Sequence, residues 1–178
     1  MIMNALTTSP SIIIMGVCGA GKSAIGTALA KSLNYAFVEA DDFHSPSNRG
    51  KMMNGIALTD DERLPWLDSI AQAALGLRRN GNVPVIACSA LKRSYRRILS
   101  AKLSGAFFVH LTAERSLLVE RLEARQSHFV GVPLLDSQLA SLEPLEDNEE
   151  GVTLDCSQSL AVITQQAITA LKPIMKSA

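Results

Sequence analysis

Gly16-Val17-Cys18-Gly19-Ala20-Gly21-Lys22-Ser23 fills every fixed position of the pattern G-x-x-x-x-G-K-[ST]. The residues on either side supply the context that the pattern needs. The apolar run Ser11-Ile12-Ile13-Ile14-Met15 precedes it and reads as a strand, and Ile25, Ala28, Leu29 and Leu33 follow at helical spacing. A strand that runs through a glycine-rich turn into a helix converges backbone N–H groups on phosphate oxygens, and the helix N-terminus adds positive potential. In such a loop Lys22 reaches the β- and γ-phosphates and the Ser23 hydroxyl holds Mg²⁺. Gly16, Val17, Cys18, Gly19, Ala20, Gly21, Lys22 and Ser23 are therefore the expected residues for binding a nucleoside triphosphate, with Ser23 as the expected metal ligand.

Outward from this loop, strand-like and helix-like segments alternate, which predicts a parallel sheet covered by helices: a three-layer α/β/α fold with five strands. The expected strands are Ser11–Met15, Tyr35–Glu39, Val83–Cys88, Ala106–Leu111 and Val152–Asp155. One helix follows the phosphate loop. A second starts at Thr59, where Glu62 three residues on completes a capping box, and further helices cover Lys92–Leu103 and Glu114–Ala124. The last, carrying Leu160, Ile163, Ala167, Ile168 and Leu171, is expected to stop near Pro173. Residues 43–61 and 125–148 are polar, Pro- and Gly-bearing stretches too long for ordinary connections. Phosphoryl transfer must exclude water, so they read as a substrate-binding insert and a lid. The whole chain, 1–178, is expected to be one domain, with residues 1–10 a loose leader.

The 178 residues carry 17 Lys plus Arg against 17 Asp plus Glu, so no global field draws the chain to nucleic acid or a membrane surface. No apolar stretch approaches the length of a membrane span. Cys18, Cys88 and Cys156 are widely spaced and odd in number, which argues against a disulfide framework and for a reduced, cytoplasmic setting.

Asp41 and Asp42 fall at the C-terminal end of the second strand, the sheet edge where open parallel sheets bind ligands. A carboxylate there orients or deprotonates an acceptor hydroxyl or holds Mg²⁺ through water; the alternative is a pair of turn aspartates. His44 shares that mouth, where it either hydrogen-bonds a polyhydroxy substrate or is merely solvated. His110, within a strand, reads as a satisfied core or edge histidine. Arg63 either grips an anionic substrate group or pairs with Asp60 or Asp61. Trp66 reads as packing. Lys92, just past the third strand, would meet a substrate carboxylate or a phosphate. Together with Arg93, Arg96 and Arg97 it forms a basic helix face without the aromatic interleaving of a nucleic-acid surface. Arg121 and Arg125, spaced i, i+4 at the presumed lid, would close on the phosphates, or pair with Glu114, Glu120 or Glu123 instead.

Beyond the loop, the sequence resembles the gluconate kinase (gluconokinase) family of small P-loop kinases in four stretches. These are Asp41-Asp42-Phe43-His44 through Asn48 to Lys51-Met52; Gly55 to Arg63 with Pro65-Trp66-Leu67; Cys88-Ser89-Ala90-Leu91-Lys92 with Tyr95-Arg96; and, more weakly, Arg121-Leu122 and Arg125, His128-Phe129, Leu134-Leu135, Ser137-Gln138 and Leu142-Glu143-Pro144. The resemblance implies ATP- and Mg²⁺-dependent phosphorylation of D-gluconate at its 6-hydroxyl, a fold similar to nucleoside monophosphate kinases and shikimate kinase, and a homodimer. It implies that Lys22, Asp41 and Arg125 are catalytic. Asp41, His44, Arg63 and Lys92 would face the sugar acid, and Arg121 and Arg125 would serve the nucleotide and lid. Ala40 stands where a glycine often precedes the aspartate, and Ser45 separates His44 from Pro46. Shikimate kinases typically carry Gly-Gly-Gly where this chain has Cys88 to Lys92. A nucleoside monophosphate kinase would need a base-reading pocket in the insert, and an ATP-sensing regulator would lack the polar mouth.

Overall fold

Five strands, β1 (Ser11–Met15), β2 (Ala36–Glu39), β3 (Pro84–Ala87), β4 (Ala106–Thr112) and β5 (Gly151–Asp155), form one parallel sheet. Its order is β2-β3-β1-β4-β5 in the computed structural model, which describes residues 10–124 and 131–176. The expected leader up to residue 9, together with Arg125, His128 and Phe129, lies outside the described residues. β1 is buried along its whole length because both of its neighbours and both sheet faces are covered, which explains the apolar run Ile12–Met15 that follows the buried Ser11.

Side chains alternate along that strand and feed two cores. Ile12 and Ile14 pack with Ile25 and Leu29 of α1 (Lys22–Leu33) and Ile163, Ala167 and Leu171 of α7 (Leu160–Lys176). Ile13 and Met15 pack on the other face with Leu67, Ile70 and Ala74 of α3 (Asp60–Arg79) and Tyr95, Leu99 and Leu103 of α4 (Arg93–Leu103). α7 runs past Pro173 to Lys176, contrary to the expected stop. Pro173 is exposed, and it removes one intrahelical N–H donor without ending the helix.

The insert is not featureless. A 3₁₀ turn over Ala40–Phe43 leads into α2 (Pro46–Met53), whose N-cap Ser45 accepts from the Asn48 N–H at 3.1 Å. Asn48 donates to the Glu62 carbonyl at 3.1 Å, and Lys51 forms an ion pair with the Glu62 carboxylate. Glu62 also closes the capping box, accepting from the Thr59 N–H at 2.9 Å. The Lys51 ammonium, helped by the Thr59 amide, holds the Glu62 carboxyl down at about 2. Asn48 and Lys51 thus tie the insert to the first turn of α3.

The basic face expected over residues 92–97 is split. Arg93 is half-buried and pairs with Glu146, whereas the Arg96 guanidinium is wholly buried. Arg96 meets Glu149 at 2.6 and 2.8 Å and the carbonyls of Ala90, Leu91, Glu143 and Pro144 at 3.0–3.2 Å. It fastens the chain after α6 (Val132–Ser141) to the loop that follows β3. In that loop Ala90 takes a φ of 43°, a left-handed conformation that costs a non-glycine residue energy and that Arg96 helps to hold. His110 is also unlike its expectation. It is buried in β4, and neither ring nitrogen has a partner among the described residues.

Candidate active site

The phosphate loop leaves the C-terminal end of β1 and enters α1 at Gly21. Gly16 has a φ of 142°, and a Cβ there would sit 2.7 Å from the Leu111 carbonyl oxygen, so only glycine fits. Gly21, at the N-cap of α1, has a φ of 95°. The Lys22 ammonium folds back to donate to the Val17 carbonyl at 3.0 Å. The Ser23 hydroxyl donates to Glu39 Oε2 at 2.5 Å. Burial raises the Glu39 carboxyl above the ordinary range and the Asp41 charge adds to that, while the Ser23 hydrogen bond opposes both.

Beside Lys22 opens a cleft of about 370 Å³ lined by Asp41, His44, Arg49, Arg63, Ser89 and Gln138, among others. That volume lies in the usual range for small-molecule sites. Asp41 sits in the 3₁₀ turn with its carboxylate mostly exposed, and His44 Nε2 lies 3.8 Å from its Oδ1. The His44 ring is buried and stacks on Trp66 with centroids 4.3 Å apart and planes 10° apart. Trp66 is held in turn by donating to the Ala40 carbonyl at 2.7 Å. Burial keeps His44 below the ordinary imidazole value; Asp41 pulls the other way, and Arg63 and Arg49 add to the lowering. His44 Nδ1 is itself buried and has no partner among the described residues.

Arg49 donates to the carbonyls of His44 at 3.2 Å and Asp42 at 2.6 Å, and Arg63 donates to Leu58 at 3.4 Å while lying 5.7 Å over the Tyr95 ring. Asp60, which the sequence offers as a partner for Arg63, instead takes Lys92 at 2.7 Å and the Tyr95 hydroxyl. The cleft therefore presents two guanidiniums that form no salt bridge among the described residues, although the Asp60 charge still acts on Arg63. A second cavity of about 320 Å³ flanks the loop at Gly19, Ala20 and Gly21 and is closed by Arg121, Ala124, Cys156 and Gln158.

A sequence family described as an AAA domain matches residues 12–133. A probable gluconokinase from Dictyostelium discoideum is 42% identical over 171 residues, covering 90% of this chain and 86% of that one. The thermosensitive gluconokinase of Escherichia coli (strain K12) is 36% identical over 168 residues, covering 94% and 90%. The crystal structure of a gluconokinase from Sinorhizobium meliloti 1021 matches with a TM-score of 0.85 at 41% identity, covering 96% of this chain and 95% of that one. The chain belongs to the gluconokinase family. An APS kinase from Mycobacterium tuberculosis, at 16% identity and a TM-score of 0.65, shares the P-loop kinase fold alone.

Within this gluconokinase-family fold, Lys22, Asp41, His44 and Arg63 line one cleft, as the sequence suggested they should if they act together. Lys92 does not join them. It caps α4 and, with Asp60 and Tyr95, lines a small adjoining pocket that shares Arg63 with the main cleft. Arg121 belongs to α5 (Arg115–Ala124) and donates to the Cys156 carbonyl at 2.7 Å, on the side of the second cavity. Glu39, Arg49 and Gln138 were not named as site residues from the sequence, although Gln138 lies in the fourth resembling stretch. Glu39 had a signal, a carboxylate closing a strand at the ligand edge; Arg49 and Gln138 reach the cleft only through tertiary folding. Cys88 is buried, which pushes its thiol up to about 12 and leaves it inert. No helix among the described residues is long and apolar enough to cross a membrane.

Proposed function

We propose that this chain transfers the γ-phosphoryl group of ATP to the 6-hydroxyl of D-gluconate. The observation that carries this reading is one cleft in which the phosphate-loop lysine, a mostly exposed aspartate and two guanidiniums without carboxylate partners converge. Gluconate brings an anionic end and a neutral alcohol end. Arg49 and Arg63 take the carboxylate, His44 a hydroxyl of the open chain, and Asp41 the reacting hydroxyl, which it orients or deprotonates. The loop amides and Lys22 hold the β- and γ-phosphates, and the transition state is loose, so positioning and charge supply most of the rate.

Among the described residues no cluster of three or more His, Cys, Asp or Glu side chains is built to cage a metal. Mg²⁺ does not need one: it takes oxygen donors, keeps waters and relies on substrate phosphates. Ser23 and Glu39 offer such oxygens 2.5 Å apart at the start of α1. When bound, Mg²⁺ would offset charge on the β- and γ-oxygens. The cavity beside Gly19–Gly21, with Arg121 on its wall, would take the nucleoside, and Arg125 remains a candidate for the phosphates. The assay is ADP release with Mg²⁺ and ATP across gluconate, other aldonates, shikimate and nucleoside monophosphates. Stimulation by gluconate with phosphate on its 6-oxygen is expected; stimulation by a different acceptor alone would overturn the assignment.

A further inference from the structure

Gln138 projects from α6 and lines both the main cleft and the adjoining Lys92 pocket, so it stands between the phosphate loop and the acceptor space. Its Oε1 accepts from the Cys18 backbone N–H at 2.7 Å. A backbone N–H can only donate, so this contact fixes which end of the carboxamide faces the loop and leaves Nε2 as the other end. Nothing among the described residues accepts from that Nε2, and the side chain is only half-buried. The other polar groups around the cleft are largely charged: Lys22, Arg49 and Arg63 on one hand, Asp41 and Asp42 on the other. A neutral donor anchored at its far end suits a hydroxyl oxygen, which a cation would grip without regard to direction.

Building on the phosphotransfer reading above, we infer that Gln138 is an acceptor-binding and loop-positioning residue. Its Oε1 steadies the phosphate loop at Cys18, and its Nε2 donates to one hydroxyl of the polyhydroxy acceptor. One side chain thus sets the distance between the loop and the reacting alcohol. It also makes the site selective for acceptors that carry an oxygen at that place.

Two substitutions separate the two ends. Gln138→Glu keeps an oxygen for Cys18 and removes the donor; Gln138→Leu removes both. For Gln138→Glu the KM for gluconate should rise about five- to tenfold while the KM for ATP stays within about twofold. Gln138→Leu should raise both. Because the new carboxylate also repels an anionic acceptor, the wild type and Gln138→Leu are compared on a set of monodeoxygluconates. In the wild type one missing hydroxyl should cost more than the same hydroxyl costs in Gln138→Leu, whereas the remaining positions should cost the same in both. Equal penalties at every position, or a wild-type gluconate KM in Gln138→Glu, would overturn the inference. Should Gln138→Leu not fold, the same set is run on Gln138→Glu. If the wild type itself does not phosphorylate gluconate, the parent reading fails; if it does and the variants match it, only the role of Gln138 fails.

Discussion

Arg96 and Lys22 are both cations at the C-terminal edge of the sheet, and the fold treats them in opposite ways. Arg96 is buried with its donors spent on Glu149 and four carbonyls. Lys22 makes one described hydrogen bond, to its own loop, and faces a cleft where Arg49 and Arg63 also retain unused capacity. A structural charge is saturated because an unpaired buried ion is costly. On the proposed reading, Lys22 is left under-coordinated because its remaining partners would arrive with the ligand. The degree of saturation, more than burial or charge alone, separates scaffold from site in this molecule.

The sharpest way to break that contrast is to remove each cation in turn. Lys22→Ala should lower turnover by about 10⁴-fold or more while leaving the urea unfolding midpoint near that of the wild type. Near-normal turnover would detach Lys22 from the chemistry. Arg96→Met should do the reverse. Stranding Glu149 and four carbonyls should cost about 3–5 kcal/mol in urea denaturation, with the enzyme that remains folded in the cold still turning over. A loss below about 1 kcal/mol would mean that the network is solvated.

Asp41→Asn tests the cleft more finely. It should lower kcat by about a hundredfold with the KM for ATP unchanged, because a positioned acid–base group acts on the acceptor rather than on the nucleotide. An unchanged kcat would assign Asp41 to the turn. The smallest effect concerns the two buried imidazoles. Burial holds His44 and His110 below the ordinary value, and Arg96 adds to the lowering at His110. The unfolded chain then takes up protons near pH 6.5 that the folded chain refuses. Stability is therefore flat above that range and falls as the pH drops through it, until the depressed folded value is reached. Urea midpoints at pH 7.5 and 5.5 should differ, and His110→Phe should shrink the difference. Equal slopes in the two proteins would count against a neutral, desolvated His110.

Where local chemistry decides structure, the sequence could be read. Ile12–Met15 is apolar on both faces because the strand has two faces to bury, and Thr59 with Glu62 forms its capping box within four residues. The loop, Asp41, His44 and Arg63 were legible because they lie at strand ends or helix starts. Pairings made across the fold were not. Arg93, Arg96 and Arg97 look alike in the chain, and only the helical phase shared with Leu99 and Leu103 marks Arg96 as inward. Arg49 and Gln138 reach the cleft from the insert and from α6, through contacts that no spacing announces. Lys92 reads as a site cation from its place after β3, yet Asp60, far away in the chain, engages it.

The bond from Lys22 to the Val17 carbonyl also sets a threshold for anions. The ammonium keeps its charge and its other donors, but one donor is spent on the loop. A ligand must replace that internal bond before it gains that donor. On the proposed reading, inorganic phosphate would fill part of the loop and return few contacts for the one it breaks, whereas a nucleoside triphosphate would engage the amides, the lysine and the flanking cavity together. Discrimination against small anions would, on that reading, follow from the number of contacts each visitor can replace.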